Sequence, residues 1–326
     1  MVTARQIAPE SLGPTLVIGE ILVEIMAQTR GQGFLSPLPL TGPYPSGAPA
    51  IFIDQCAKIG GRAAMIGAVG ADDFGTMVLE RLARDGVDVS AVAVLPDYPT
   101  GTAFVRYRAD GGRDFVFNIA RSAAGQIRLT PAAEAVIAAA GHLHVMGSAL
   151  GIPYLAAPLT AALEALAARG GSLSLDPNLR KELMGEATLG WLEKLLPRTD
   201  ILLPSGDELL LVAGAGTEAE ALEALFRRGI AEIVLKRGEK GATAFLASGE
   251  RIEAPALAVS ERDPTGAGDC FGGAYIALRR QGESVETALR FASAAGARNV
   301  TVEGPMEGAG TRAELDAFIA ATPARA

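Results

Sequence analysis

Two carboxylates, Asp263 and Asp269, bracket the run Pro264-Thr265-Gly266-Ala267-Gly268. The text behind Asp269, from Cys270 to Leu278, is small and apolar without a charge, and it predicts a buried helix. Pro264 suits a strand-to-helix turn, where a missing N–H does little harm. Gly266, Ala267 and Gly268 then present nearly bare backbone at a helix start. Several N–H groups can converge there on one anion, and the helix dipole adds to the attraction. Asp269 at the mouth of such a nest is placed to take a proton from whatever attacks a bound phosphate. A phosphate cradle beside a base is the minimal equipment of a kinase. A bare G-x-G turn is weak evidence, so the order of the flanking residues has to carry the assignment.

Other segments could contribute chemistry. Leu175-Asp176-Pro177-Asn178-Leu179-Arg180 lies at the end of a predicted strand, the sheet edge where open α/β proteins bind ligands. The same residues also suit a turn in which Asp and Asn satisfy backbone groups. Pro204-Ser205-Gly206-Asp207-Glu208 follows another strand end. Glu208 can help hold Mg²⁺, directly or through water, or belong to an acidic first helical turn. Leu235-Lys236-Arg237-Gly238-Glu239-Lys240-Gly241 offers a lysine for phosphate and two glycines for close backbone approach, or forms a plain hairpin with basic ends. His142 and His144 share one strand face but have no third metal partner in view. Gly214-Ala215-Gly216-Thr217-Glu218-Ala219 follows a predicted helix instead of a strand, which fails the context of a dinucleotide fingerprint. No G-x-x-x-x-G-K-[ST] occurs, so a Walker-type loop is excluded.

The elements that must position these residues alternate. Apolar strands are expected at 15–18, 63–69, 87–94, 142–146, 172–176, 201–203 and 232–236. Helices are expected at 50–59, 131–140, 154–169, 191–196 and 218–228. Such alternation means a parallel sheet covered on both faces. Asp110-Gly111-Gly112 between 102–107 and 114–119 signals a hairpin that interrupts the pattern. Residues 31–49, rich in Gly and Pro, read as loop or irregular edge, and 1–13 as a loose extension. The 326 residues, 49% hydrophobic with net charge −8, argue against nucleic acid or an anionic membrane as partner. Leu16 to Ile25 is broken by Glu20 and Glu24, so it reads as strand and not as a signal peptide. Cys56 and Cys270 lie in apolar text, which suggests no disulfide and a cytoplasmic location.

Asp263-Pro264-Thr265-Gly266-Ala267-Gly268-Asp269 followed by Phe271-Gly272-Gly273-Ala274-Tyr275 closely resembles the C-terminal motif of the ribokinase-like (PfkB) carbohydrate kinases. The resemblance runs from about Thr15 to Phe318, with motifs in family order. It implies a Rossmann-type αβα sandwich spanning 15–321, with a small β-sheet lid from about 20–48 and 98–122 and residues 1–14 as an extension. It implies ATP, Mg²⁺, a stimulating K⁺ near Asp263 and Thr265, a homodimer, and a lid that excludes water. By resemblance, Asp269 is the base and Gly266, Ala267 and Gly268 form the anion cradle. Ser205, Glu208, Lys236, Gly238 and Gly241 would serve the nucleotide, and Glu24, Gly47, Arg106, Asn178 and Arg180 the sugar. The turn Val69–Gly75 resembles the early Gly-x-Asp-x-x-Gly segment, or is simply a capped helix start. Two departures alter the sugar pocket. Ser46 replaces the first glycine of the N-terminal turn, and Ile51 stands where relatives carry a sugar-binding Asn. The lid text is similar to tagatose- or fructose-type ketohexokinases. Arg106 and Arg180 keep 2-keto-3-deoxygluconate kinases close behind. A non-catalytic sugar sensor on this fold is opposed by the intact Asp269 and nest, and a dehydrogenase by the lack of a fingerprint after the first strand.

Overall fold

β1 (Thr15–Ile18) is buried at every position. Leu16 and Ile18 enter one hydrophobic cluster, and Val17 enters another on the opposite face. A strand buried on both faces needs covering layers on both sides, and the rest of the chain supplies them. The protein is described by a computed structural model covering residues 6–110, 112–179 and 185–325.

After β1 the chain forms β2 (Leu22–Ala27), β3 (Leu40–Ser46), α1 (Ala48–Lys58), β4 (Ala63–Gly70), α2 (Asp73–Arg84) and β5 (Val87–Leu95). The hairpin β6 (Gly101–Tyr107) and β7 (Arg113–Asn118) follows. Then come α3 (Pro131–Ala139), β8 (His142–Met146), α4 (Ala156–Arg169), β9 (Ser172–Asp176), α5 (Glu186–Leu195) and β10 (Ile201–Leu202). The last part holds α6 (Glu208–Ala213), α7 (Glu218–Arg227), β11 (Glu232–Lys236), β12 (Ala242–Leu246), β13 (Arg251–Ala254), α8 (Ala267–Arg280), α9 (Val285–Asn299) and α10 (Arg312–Ala321).

Among the described residues these strands make two sheets. The large one has the order β13-β12-β11-β10-β9-β8-β1-β4-β5. Its pairs are parallel from β5 through β11, and β12 and β13 add antiparallel strands at one edge. The small one has the order β3-β2-β6-β7. The expected α/β class, with a mostly parallel sheet and a smaller separate one, is what the chain adopts. β3 was expected to be irregular. It is an edge strand that tolerates Pro43 and Pro45 because one of its sides needs no ladder partner.

Residues 6–14 are not the loose extension expected. The buried Arg280 guanidinium donates to the carbonyls of Ala8 (3.1 Å), Pro9 (3.1 Å) and Gly13 (2.7 Å) and to Thr15 Oγ1 (2.8 Å). Burying an arginine requires acceptors for its fixed fork of donors, and this segment provides them. His142 and His144 are core residues. They hydrogen-bond Ser172 and Ser174, His144 stacks on Phe52 at 3.6 Å, and burial pushes both imidazoles well below their usual range. Gly214 closes α6 in the left-handed conformation at φ 65°. Among the described residues no helix is long and apolar enough to cross a membrane.

Candidate active site

Asp269 lies in the first turn of α8 and is buried. Gly266 caps this helix with φ 76°, and a Cβ there would overlap the Pro305 carbonyl oxygen. Glycine is therefore required by backbone geometry at 266. Gly268 differs. A Cβ at that position would meet only Lys236 Nζ, at 3.5 Å. Lys236 Nζ thus faces Gly268 at van der Waals distance from a methyl placed there, beside bare helix-start amides. That arrangement can hold an anion between them.

Two strand ends and one helix start converge behind this nest. Asp176 closes β9, and Lys236 closes β11. They form a buried ion pair. Asp176 Oδ1 also accepts the Asn178 N–H at 3.2 Å. This local turn holds Asn178 at φ 38°, a conformation Asn adopts more readily than most residues. Asn178 Nδ2 then donates to Asp269 Oδ1 at 2.9 Å. Its Oδ1 is buried with no hydrogen-bond partner among the described residues, so it can accept from a bound hydroxyl. Glu208, at the start of α6, accepts the N–H groups of Leu179 (2.8 Å) and Ser205 (2.7 Å). Burial and then the nearby Asp176 charge raise its carboxyl pKa. Two carboxylates beside one lysine suit a divalent cation met partly through water and phosphate. Among the described residues no group of three or more His, Cys, Asp or Glu could hold a metal alone. Gly238 and Gly241 take φ 57° and 85° in the turn between β11 and β12. The nucleotide loop read from the sequence is also a hairpin.

The cavity in front of Asp269 is walled by the small sheet, the start of α1 and the loops that follow β1, β8 and β9. Glu24 of β2 accepts from Ser46 Oγ at 3.0 Å, and Glu20 accepts from Ser148 Oγ at 2.7 Å. Gly47 at φ 108° precedes α1, and Ile51 of α1 reaches the wall. The small sheet contributes Arg113, Phe115 and Phe117, alternate residues of β7 on the face toward the cavity. Glu24, Gly47, Asn178, Gly266 and Asp269 thus meet in one cavity. Arg106 does not line it. The β6–β7 register pairs Arg106 with Asp114 and Tyr107 with Arg113, and Arg106 forms an ion pair with Asp114 at 3.0 Å on the other face. Arg180 lies outside the described residues. Ser46 enters the wall as the departure in the N-terminal turn suggests, while Glu20, Ser148, Arg113, Phe115 and Phe117 join it from outside the expected site residues. Period-2 alternation from Arg113 to Phe117 was the available signal for the last three.

The turn before the nest tests the K⁺ expectation. Asp263 Oδ1 accepts Thr265 N–H and Tyr107 O–H, both at 2.9 Å, and Oδ2 accepts Gly304 N–H at 3.0 Å. Thr265 Oγ1 accepts from Arg113 Nη1 at 2.9 Å, and its carbonyl accepts from Asn299 Nδ2 at 2.7 Å. A guanidinium on Thr265 does not fit a cation coordinated by that side chain. The turn Val69–Gly75 is a capped helix start. Asp72 accepts Gly75 N–H and also both donors of Thr100, just ahead of β6.

Comparison with known proteins gives a consistent result. Fructokinase-1 of Oryza sativa subsp. japonica is 32% identical, across 91% of this chain and 94% of that protein. The 2-dehydro-3-deoxygluconokinase of Thermoproteus tenax is 29% identical, across 91% of each. An E. coli protein provisionally named ribokinase II, solved with ATP and Mg²⁺, is 43% identical with a TM-score of 0.88, over 95% of this chain and 99% of that one. A fructokinase double mutant from Vibrio cholerae O395, solved with fructose, ADP and potassium, superposes with a TM-score of 0.80 at 27% identity, over 94% and 98% of the two chains. A family model described as pfkB family carbohydrate kinase matches residues 16–312. The fold and the glycine turn before the buried Asp269 agree with that match: the chain belongs to the pfkB family of carbohydrate kinases, phosphotransferases with a sugar hydroxyl as acceptor.

Proposed function

We propose that this kinase uses ATP and Mg²⁺ to phosphorylate a primary hydroxyl of a small neutral ketose, a ketohexose of tagatose or fructose type. The observation that carries the substrate class is the cavity wall. Glu20 and Glu24, each next to a serine hydroxyl, face the space in front of Asp269. A sugar hydroxyl can donate to a carboxylate, whereas a substrate carboxylate is repelled by it. Phe115 and Phe117 add apolar faces for the C–H side of a sugar ring. The second reading, a keto sugar acid, is favoured by the Arg113 guanidinium on the same wall and by the Thermoproteus tenax relative.

In the proposed reaction Asp269 accepts the proton of the attacking hydroxyl. Asn178 holds the carboxylate through Oδ1 and offers its own Oδ1 to the sugar. The backbone of Gly266 to Gly268 receives the charge building on the γ-phosphoryl oxygens, with Lys236 facing it across the gap above Gly268. Asp176 holds Lys236 in place. Ser205, Glu208, Gly238 and Gly241 are assigned to the nucleotide side. Glu208 and Asp176 would hold Mg²⁺, which would supply charge neutralisation on the transferring phosphate. Potassium is not assigned to Asp263 and Thr265, because their groups serve the lid and the nest. A cytoplasmic homodimer is part of the same proposal, and the free buried Cys56 and Cys270 suit that compartment.

Coupled ADP release over a panel of keto sugars and sugar acids tests this. The expected result is a kcat/KM for tagatose or fructose above that for 2-keto-3-deoxygluconate. A marked preference for the acid, lost in Arg113→Met, would replace the first reading with the second.

A further inference from the structure

Tyr107 and Arg113 face each other across the lid hairpin, and both reach past the sugar cavity to the turn that feeds the nest. Tyr107 Oη donates to Asp263 Oδ1, and Arg113 Nη1 donates to Thr265 Oγ1. Asp263 is almost fully buried and distributes its two oxygens over three donors: Tyr107 from the lid, Thr265 from its own turn, and Gly304 from the loop after α9. That loop carries a second lid contact. Thr41 Oγ1 and Tyr44 Oη of β3 both donate to Glu303 Oε1 at 3.0 Å. The lid therefore grips both segments that flank Gly266. Burial and the Asp263 charge push the Tyr107 phenol well above its usual value, so it is a donor at any working pH.

We infer that Tyr107 and Arg113 are positioning residues through which lid closure sets the geometry of the anion nest. The inference rests on the kinase reading above and adds a coupling to it. With the lid shut, Thr265 is held at its N–H by Asp263, at its carbonyl by Asn299 and at its hydroxyl by Arg113. With the lid open, Asp263 loses its phenol donor and Thr265 its guanidinium. The next residue, Gly266, begins the cradle. A nest works only when its amides are held within a few tenths of an ångström of the productive geometry. Phosphoryl transfer would then be efficient only under a closed lid, when water has been excluded from the sugar site.

Tyr107→Phe is the cleanest test, because it removes one hydroxyl, keeps the ring, and lies outside the sugar cavity wall. Two measurements on the full chain are compared with wild type and with Arg108→Met, an outward-facing control on the same hairpin. The first is amide hydrogen exchange without any ligand. In Tyr107→Phe, exchange in peptides covering 262–268 and 302–308 should rise about tenfold, since the Thr265 and Gly304 amides both rest on Asp263. The second is steady-state kinetics with the best sugar of the panel. The kcat should fall by on the order of tenfold, with KM for sugar and ATP within about twofold. Arg113→Met should lower kcat likewise, Arg113→Lys should recover part of it, and the double variant should lose less than the product of the singles because both act on one turn. Unchanged exchange at 262–268 and 302–308 in Tyr107→Phe would overturn the coupling. So would normal kcat in that variant, or a loss confined to sugar KM. A wild-type chain that phosphorylates no sugar would refute the kinase reading instead, and the exchange result would still decide whether the lid holds the turn.

Discussion

Replacing Gly268 by alanine should leave the fold intact and stop the chemistry. A methyl group at 268 meets no backbone and only Lys236 Nζ, 3.5 Å away. Alanine in a first helical turn gains up to about 1 kcal/mol over glycine, so stability should hold or rise slightly. The same methyl occupies the gap between the helix-start amides and the lysine, where the proposed mechanism puts the γ-phosphoryl group. Carbon and ammonium at 3.5 Å are already in van der Waals contact, which leaves no room for a phosphoryl oxygen between them. A displacement of about 1 Å at a reacting centre costs on the order of 10²-fold in rate, and that loss is expected in kcat/KM. Gly266→Ala provides the contrast. Its left-handed φ of 76° costs an alanine about 1–2 kcal/mol before the overlap with the Pro305 carbonyl is counted. Urea unfolding and coupled ADP release on both variants check the pair. The expected outcome is a stable, inactive Gly268→Ala and a destabilised Gly266→Ala. A Gly268→Ala protein within threefold of wild-type kcat/KM would refute the placement of the phosphate.

Two further outcomes are expected. Glu208→Gln can accept only one of the two backbone N–H groups now on Glu208, so the variant should lose about 1–3 kcal/mol of stability; the Mg²⁺ concentration giving half-maximal activity should also rise by on the order of tenfold, and an unchanged Mg²⁺ titration would remove Glu208 from the metal side. Asp54 is held at about 7 by burial, against the pull of Arg81 at 3.2 Å. A raised folded pKa contributes stability below the unfolded value of 3.8, which is lost as pH climbs toward 7. Relative to wild type, Asp54→Asn should therefore gain about 2–3 kcal/mol between pH 5 and pH 8 in urea unfolding, and a pH-independent difference would contradict that assignment.

Much of this arrangement was legible in the residues, for identifiable reasons. Ala63–Gly70 is buried at every position and reads as a continuous apolar run, whereas Ser172–Asp176, equally buried, alternates Ser and Leu because its serines hydrogen-bond the buried His142 and His144. The glycine turn was legible as a tight helix start, where Gly266 is fixed by sterics and Gly268 has only Lys236 near the side chain it lacks. The lid arginine was assigned to Arg106 by resemblance, but parity decides it. In a hairpin registered Arg106 to Asp114, the inward residues are Tyr107, Arg113, Phe115 and Phe117. The placement of Glu20 and Ser148 in one wall depends on the side-by-side pairing of β1 and β8, residues far apart in sequence. The docking of residues 6–14 depends on Arg280, more than 260 residues away. Nothing local in either segment announces the other.

The central claim is that Asp269 is the base of this kinase, and Asp269→Asn tests it most directly. An amide oxygen at 269 can still accept from Asn178 Nδ2, so the site keeps its shape while losing the group that takes the proton. Turnover measured by ADP release should fall by about 10²–10⁴-fold, while calorimetric affinities for ATP and the preferred sugar stay within a few-fold of wild type. A variant that keeps a third of wild-type turnover would contradict the assignment and place the proton acceptor elsewhere in the cavity.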